Sequence, residues 1–322
     1  MGRDVEKVFI ETVRREGILP GGSRIIAAVS GGGDSVALLR LLVRFSNHMD
    51  WTLSVLHVDH RLREGSGDDA CFVCSLAGEL GLPYRLHEPE GPEGGSAEGE
   101  WSRIRQSVYE DEASREGGLV AVGHTASDRA ETLLMRLMEG SGLRGLGGMD
   151  YAGRGPVRRP LLDLTAAETR GYLESLGQRW LEDPSNLDTA MLRNRVRLEV
   201  MPRLEGIYPG AVLGLARAAA GLSDWRRTAF DAVEEAAAGL AGDDGGADRL
   251  DRGEFEGLPG ALRRALLWEL AGRPRKGRLE LEKTERWLTS GGRGSRDLPG
   301  GTVLEADREE IRFFPAGEEE AE

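Results

Sequence analysis

The residues best suited to do chemistry lie in Ser30-Gly31-Gly32-Gly33-Asp34-Ser35. An apolar, β-branched run, Ile25–Val29, precedes them and reads as a buried strand. Val36, Leu39, Leu42 and Val43 follow at helical spacing. Glycines between a strand and a helix allow close backbone approach, and the free N–H groups at the helix start favour an anion. A Walker loop would continue with Lys-Ser/Thr, whereas Asp34-Ser35 stands here, and no glycine completes a G-x-G-x-x-G dinucleotide fingerprint. A carboxylate beside a phosphate is repulsive unless a cation bridges them, so Asp34 points to Mg²⁺ on a polyphosphate such as ATP. A helix terminus supplies only about 0.3–1 kcal/mol per anionic contact, which is too little to hold a triphosphate alone. Without a Walker lysine, chemistry at the α-phosphate with loss of pyrophosphate is favoured over γ-phosphoryl transfer. A plain glycine turn would account for the glycines but not for the two serines and the acid.

Three further groups carry polar side chains at the ends of predicted elements. His57-Val58-Asp59-His60 closes a strand, where His57 and Asp59 either line the nucleotide pocket or form a polar strand exit. His57 and His60, followed by Cys71 and Cys74, have zinc-ligand types, but the order is wrong for a zinc finger and the cysteines read better as packing or incidental placement. His124, Asp128 and Glu131 begin a helix, with the two acids three residues apart on one side. They either complement the helix dipole or grip an ammonium group. In Arg193-Asn194-Arg195-Val196-Arg197, Arg193 and Arg197 share a helical stripe with only Glu199 as a nearby intrahelical acid. That stripe is either a solvated face or a phosphate contact.

The elements needed to position these groups alternate strand and helix. Strands are predicted at Ile25–Val29, Leu53–Val58, Tyr84–His87 and Leu119–Gly123, with helices between them. This implies an α/β fold with a doubly wound, mostly parallel, Rossmann-like sheet whose ligands lie at the carboxyl ends of the strands. Ser141–Gly155 reads as a mobile glycine-rich connection, and Thr165 with Glu168 as a capping box. One helix is predicted over Thr189–Val200. Residues 1–208 would form the main domain, 209–242 a helical connector and 243–322 a small α+β domain, with a flexible break at Gly242–Gly246. Strands in the last piece are predicted near Val303 and Ile311–Phe314.

The chain has 322 residues, enough for a substantial core, and no apolar run of membrane-spanning length. Two cysteines and an N-terminus without a signal-type apolar stretch predict a cytoplasmic protein with no membrane partner. The net charge of −13 argues against non-specific nucleic-acid binding but leaves room for a local basic site. Assembly is left open, with a homodimer as one option.

The SGGGDS loop resembles that of the PP-loop, or N-type ATP pyrophosphatase, superfamily. With LHVDHRLR at Leu56–Arg63, GHTASDRAETLLMRL at Gly123–Leu137, GSGLRGLGGM at Gly140–Met149, RPLL at Arg159–Leu162 and EDPSNLDTAMLRNRVRLEVMPRL at Glu182–Leu204, the chain is similar to the tRNA(Ile)-lysidine synthetases. The terminal module resembles that family's short C-terminal domain, with no counterpart expected to the further domain of longer members. The resemblance implies that ATP adenylates the wobble cytidine of an isoleucine tRNA with a CAU anticodon, and that the L-lysine ε-amine then displaces AMP. It implies that Ser30, Gly31, Gly32, Gly33, Asp34 and Ser35 hold ATP, Asp34 carrying Mg²⁺, and that Asp128 and Glu131 recognise lysine with His124 as a nearby base. Arg103, Arg193, Asn194 and Arg197 are the expected tRNA contacts, and 243–322 a tRNA-binding domain. Two departures stand out. The family's His-His-x-Asp-Asp is His124-Thr125-Ala126-Ser127-Asp128 here, and Gln106-Ser107 replaces an expected Arg-Tyr, leaving Arg103 or a register-shifted Arg105 as the arginine of that helix. A PP-loop tRNA thiolase using Cys71 and Cys74, and a non-catalytic nucleotide- or RNA-binding module, are the competing readings.

Overall fold

A computed structural model describes residues 3–59, 66–89, 98–153, 155–240, 248–272 and 277–315. The chain forms two compact units, Met1–Asp224 and Trp225–Glu322.

In the first unit, α1 (Val5–Glu16) leads to β1 (Arg24–Ala28), α2 (Gly33–Met49), β2 (Thr52–Val58), α3 (Ser66–Glu79), β3 (Tyr84–His87), α4 (Glu98–Glu116) and β4 (Leu119–Val122). Then come α5 (Ala126–Met138), α6 (Leu143–Leu146), the two-residue β5 (Val157–Arg158) and α7 (Ala166–Ser175). All strand pairs are parallel, in the order β3-β2-β1-β4-β5. Side chains of successive strand residues point to opposite faces. Ile25, Ala27 and Ala121 accordingly join α1, α2, α3 and α7 in one core, while Ile26, Val120 and Val122 pack with Val108 and Ala113 of α4 in another. With both faces covered, the sheet is doubly wound. From β1 the chain builds outward through β2 and β3, then returns to place β4 on the other side of β1. The crevice between the carboxyl ends of β1 and β4 is thus the switch point where an open α/β sheet binds ligands.

The expected single helix over Thr189–Val200 is instead a series of short turns. A 3-10 turn (Pro184–Leu187) precedes α8 (Leu192–Arg195), a π-helical turn (Val196–Val200) and α9 (Met201–Ile207). Pro202 has no N–H for the ladder, and just before it the Met201 N–H reaches back five residues to the Val196 carbonyl.

Helix α10 (Ala211–Leu240) contains the boundary between the units. The second unit has β6 (Asp248–Asp251), α11 (Arg252–Gly257), α12 (Gly260–Leu270), α13 (Arg278–Thr289), β7 (Gly294–Leu298), β8 (Thr302–Ala306) and β9 (Glu310–Pro315). Its sheet is antiparallel, in the order β6-β9-β8-β7, over a core including Leu250, Phe255, Leu267, Leu304 and Ile311. The predicted strands near Val303 and Ile311–Phe314 are β8 and β9, whereas β6 and β7 escape sequence detection because Asp-Arg-Leu-Asp and Gly-Ser-Arg-Asp-Leu carry no apolar alternation. The buried Arg252 guanidinium donates to the carbonyls of Gly292, Asp307 and Leu288, tying helix, loop and strand ends together. Arg263 and Arg264 pair with Glu285. Among the described residues no helix is long and apolar enough to cross a membrane. The proposed break at Gly242–Gly246 lies outside the described residues.

Candidate active site

The turn after β1 is braced by its own hydroxyls. Ser35 Oγ donates to the Gly32 carbonyl at 2.8 Å and accepts from the Ser30 N–H at 3.2 Å. The Ser30 and Ser35 hydroxyls are themselves 3.2 Å apart. Gly32 caps α2 with no side-chain bond, so the first N–H groups of that helix keep their capacity for an external acceptor. Gly31 has φ of 93°, and a methyl group there would meet Leu181 Cδ1 at 2.8 Å. Its carbonyl accepts from the Leu181 N–H, which fixes one wall of the turn.

Gly123, at the exit of β4, fixes the opposite wall. A Cβ at this position would lie 2.9 Å from Ser35 N and 3.0 Å from the Asp34 carbonyl carbon and oxygen, all main-chain atoms that cannot swing aside. Gly123→Ala is expected to displace the start of α2 and to lower nucleotide affinity at least tenfold, measured by calorimetric titration with a non-hydrolysable ATP analogue. Unchanged affinity would mean that the turn is not the nucleotide site.

Asp34 sits in the first turn of α2. Its Oδ1 accepts from the Thr169 hydroxyl of α7 at 2.5 Å, while Oδ2 takes no hydrogen bond from the described residues. Burial pushes its pKa up to about 6, against the lowering effect of the Thr169 hydrogen bond, with Asp128 adding to the rise. A cationic ligand would favour the charged form of Asp34. The glycine cradle and the open carboxylate oxygen therefore suit a triphosphate with a divalent cation.

Next to it stands a four-membered charge cluster. Asp128 closes a capping box at the start of α5, its Oδ2 accepting from the Thr125 N–H at 2.8 Å and hydroxyl at 2.9 Å. Its Oδ1 accepts from Arg193 at 3.1 Å and Arg197 at 3.2 Å. Glu131 accepts from Arg193 Nε at 3.2 Å and from Arg197 Nε at 2.8 Å and Nη2 at 2.9 Å. Burial alone would raise the Asp128 pKa, but His124, Arg193, the Thr125 N–H and Arg197 together hold it below the usual carboxylate range. Asp128 thus serves the helix cap with one oxygen and two arginines of the chain itself with the other. The arginines, expected to lack acidic partners along their own helix, find them on α5.

His124 Nδ1 accepts from Arg159 Nε at 3.1 Å, so its ring proton resides on Nε2. Burial, reinforced by Arg159, Arg193 and Arg105, pushes its pKa down to about 4 in spite of Asp128. In this setting the ring is neutral, with Nδ1 engaged by Arg159. His57 is buried and its Nδ1–H donates to the Val29 carbonyl at 2.7 Å, bracing the strand that enters the turn. Asp59 is buried beyond the end of β2, and its N–H donates to the His87 carbonyl. Asn194 is buried and donates to the carbonyls of Ser185 and Asp188, stapling the turn ahead of α8. Arg103 is exposed on α4, whereas Arg105 of the same helix bears on His124. Within Ser141–Gly155, Leu143–Leu146 form α6, and the Met149 and Asp150 carbonyls accept from Arg129 Nε and Arg159. Cys71 and Cys74 are free and exposed, and no metal-binding group of three or more His, Cys, Asp or Glu exists among the described residues. His60 lies outside them.

Sequence reasoning gave no role of their own to Gly123, Arg159, Thr169, Arg170 and Trp180. A Cβ at Gly33 would come within 3.5 Å of Trp180 and 3.6 Å of Arg170, so both side chains flank the start of α2. They belong to segments more than a hundred residues away in the chain, and no local spacing announces them.

The model of the PP-loop domain family matches residues 3–204. A tRNA(Ile)-lysidine synthase of Parasynechococcus marenigrum is 34% identical over 311 residues, covering 92% of this chain and 90% of that protein. One of Geobacter sulfurreducens is 40% identical over 232 residues, covering 68% of this chain but 48% of that protein. Among solved structures, the U34-tRNA thiolase NcsA of Methanococcus maripaludis superposes with a TM-score of 0.58 at 18% identity, covering 68% of this chain and 78% of that one, a likeness of fold.

Proposed function

Because the chain belongs to the tRNA(Ile)-lysidine synthase family, we propose that it joins lysine to C2 of the wobble cytidine in an isoleucine tRNA with a CAU anticodon, using ATP. The single observation that carries this reading is the convergence of a glycine anion cradle, an open buried carboxylate and a paired-acid cluster at one sheet switch point. Turn residues 30–35 and the α2 N-terminus would bind the phosphates, leaving the α-phosphorus to the cytidine C2 oxygen. Asp34 would hold Mg²⁺, whose charge offsets the repulsion between carboxylate and phosphate and the charge gathering on the departing pyrophosphate.

Asp128 and Glu131 would receive the lysine ammonium. That amine must be neutral to attack, which costs about 4–5 kcal/mol at pH 7 for an ordinary lysine. Arg193 and Arg197, already on the same carboxylates, disfavour a third positive charge and so lower the amine's pKa. His124 Nε2–H is suited to hydrogen-bond an oxygen of substrate rather than to collect the proton. Arg193 and Arg197 would then meet tRNA phosphate only with the edges the acids leave free, with Arg105 and Arg103 of α4 as further contacts.

Incubation with the α-³²P-labelled nucleotide and this tRNA, without lysine, should place label on the tRNA and release pyrophosphate. Adding lysine should free labelled AMP. Release of labelled ADP, or hydrolysis indifferent to tRNA, would overturn the reading. The thiolase alternative requires the cysteines. Replacing both Cys71 and Cys74 with serine is expected to leave formation of the lysine adduct unchanged, since both thiols are exposed and outside any metal-binding cluster among the described residues.

A further inference from the structure

Among the described residues, the hydrogen bond to the Asp34 carboxylate comes from α7, a helix to which no functional motif draws attention. Thr165 and Glu168 form its capping box, and the Ala166 N–H donates to Ser127 Oγ at 3.1 Å, pinning its first turn to the start of α5. Thr169 is thereby buried completely, with Oγ1 2.5 Å from Asp34 Oδ1 and 2.9 Å from the Ala166 carbonyl. A hydroxyl has one proton to give. The ionised carboxylate is the stronger acceptor, so the proton goes to Asp34 and the Ala166 carbonyl is left to the helix ladder.

We infer that Thr169 is a positioning residue for Asp34: by holding Oδ1 it selects the rotamer that turns Oδ2 toward the phosphate cradle. The inference rests on the reading of Asp34 as the Mg²⁺ ligand. No other hydrogen bond from the described residues restrains that carboxylate. Loss of the hydroxyl leaves a short side chain free to rotate and a buried oxygen without its donor. Partners that orient a ligating group in this way typically matter by about 10–100-fold in metal affinity or activity.

Thr169→Val removes the hydroxyl at nearly constant volume, and Thr169→Ser keeps it while removing the methyl group. Mn²⁺ binding, followed by electron paramagnetic resonance with a non-hydrolysable ATP analogue present, is expected to weaken about 10–100-fold in Thr169→Val and to stay close to wild type in Thr169→Ser. The Mg²⁺ concentration for half-maximal pyrophosphate release should shift in the same order. Equal Mn²⁺ affinity in Thr169→Val and wild type would overturn the inference, as would equal impairment in Val and Ser, which would trace the effect to packing of the methyl group. Asp34→Asn, measured alongside, separates the two levels. If it too binds Mn²⁺ like wild type, the assignment of Asp34 itself fails; if only Thr169→Val does, the fault lies with Thr169 alone.

Discussion

Asp34→Asn is expected to lose pyrophosphate release by about a thousandfold and yet to give a more stable protein. The first effect follows from removing the carboxylate charge that would hold the cation, a contribution of about 4 kcal/mol to the transition state. The second follows from burial, which raises the folded-state pKa to about 6 from an ordinary 3.8. The folded chain then binds the proton more tightly than the unfolded chain, so Asp34 lowers stability as pH rises from about 4 to 6 and keeps it lowered above. Asparagine carries no charge and can still accept from Thr169. Its stability advantage should be absent near pH 4 and reach roughly 2 kcal/mol above pH 6, with some discount for the side chain's access to water. Denaturant titrations of both proteins across this range, without nucleotide or metal, measure it. A variant less stable than wild type at pH 7.5 would show that the carboxylate is a structural charge.

Glu131→Gln divides the reaction at its other half. The glutamate side chain is 2% exposed and accepts three guanidinium N–H bonds. Neutralising it leaves two arginines sharing Asp128. Breaking a fully buried pair costs 3–5 kcal/mol; here the arginine side chains, at 25% and 34% exposed, still reach water, so about 2 kcal/mol of stability is expected to be lost. A charged hydrogen bond to the substrate amine contributes about 1.5–3 kcal/mol, so the lysine concentration for half-maximal turnover should rise roughly 10–100-fold. Adenylation of tRNA without lysine should continue near the wild-type rate. Loss of adenylation with unchanged lysine dependence would reassign Glu131 to the nucleotide.

Much of this arrangement was legible from local pattern. The strand–glycine–helix transition at Ile25–Val36 and the alternation through Val122 follow from short-range periodicity, and β1, α2 and the switch point appear where that periodicity puts them. The Thr165–Glu168 box was equally visible, being a four-residue motif. What it delivers was not: Thr169 meets Asp34 across 135 positions, and nothing near either residue encodes the contact. The arginines at Arg193 and Arg197 illustrate the same limit. Their helix shows one nearby acid, so partners had to come from another element, and only the packing of the α8 region on α5 identifies them as Asp128 and Glu131. The neutral ring of His124 follows from burial first and then from charges such as Arg159, which its own local sequence does not announce.

The most direct test of the central claim is mass spectrometry of nucleosides from isoleucine tRNA bearing CAU after incubation with the enzyme. With ATP, Mg²⁺ and lysine together, the wobble cytidine should be converted to its lysine adduct, and omission of ATP or lysine should leave it as cytidine. An unmodified cytidine in the complete reaction, or a sulfur-containing product in its place, would contradict the account.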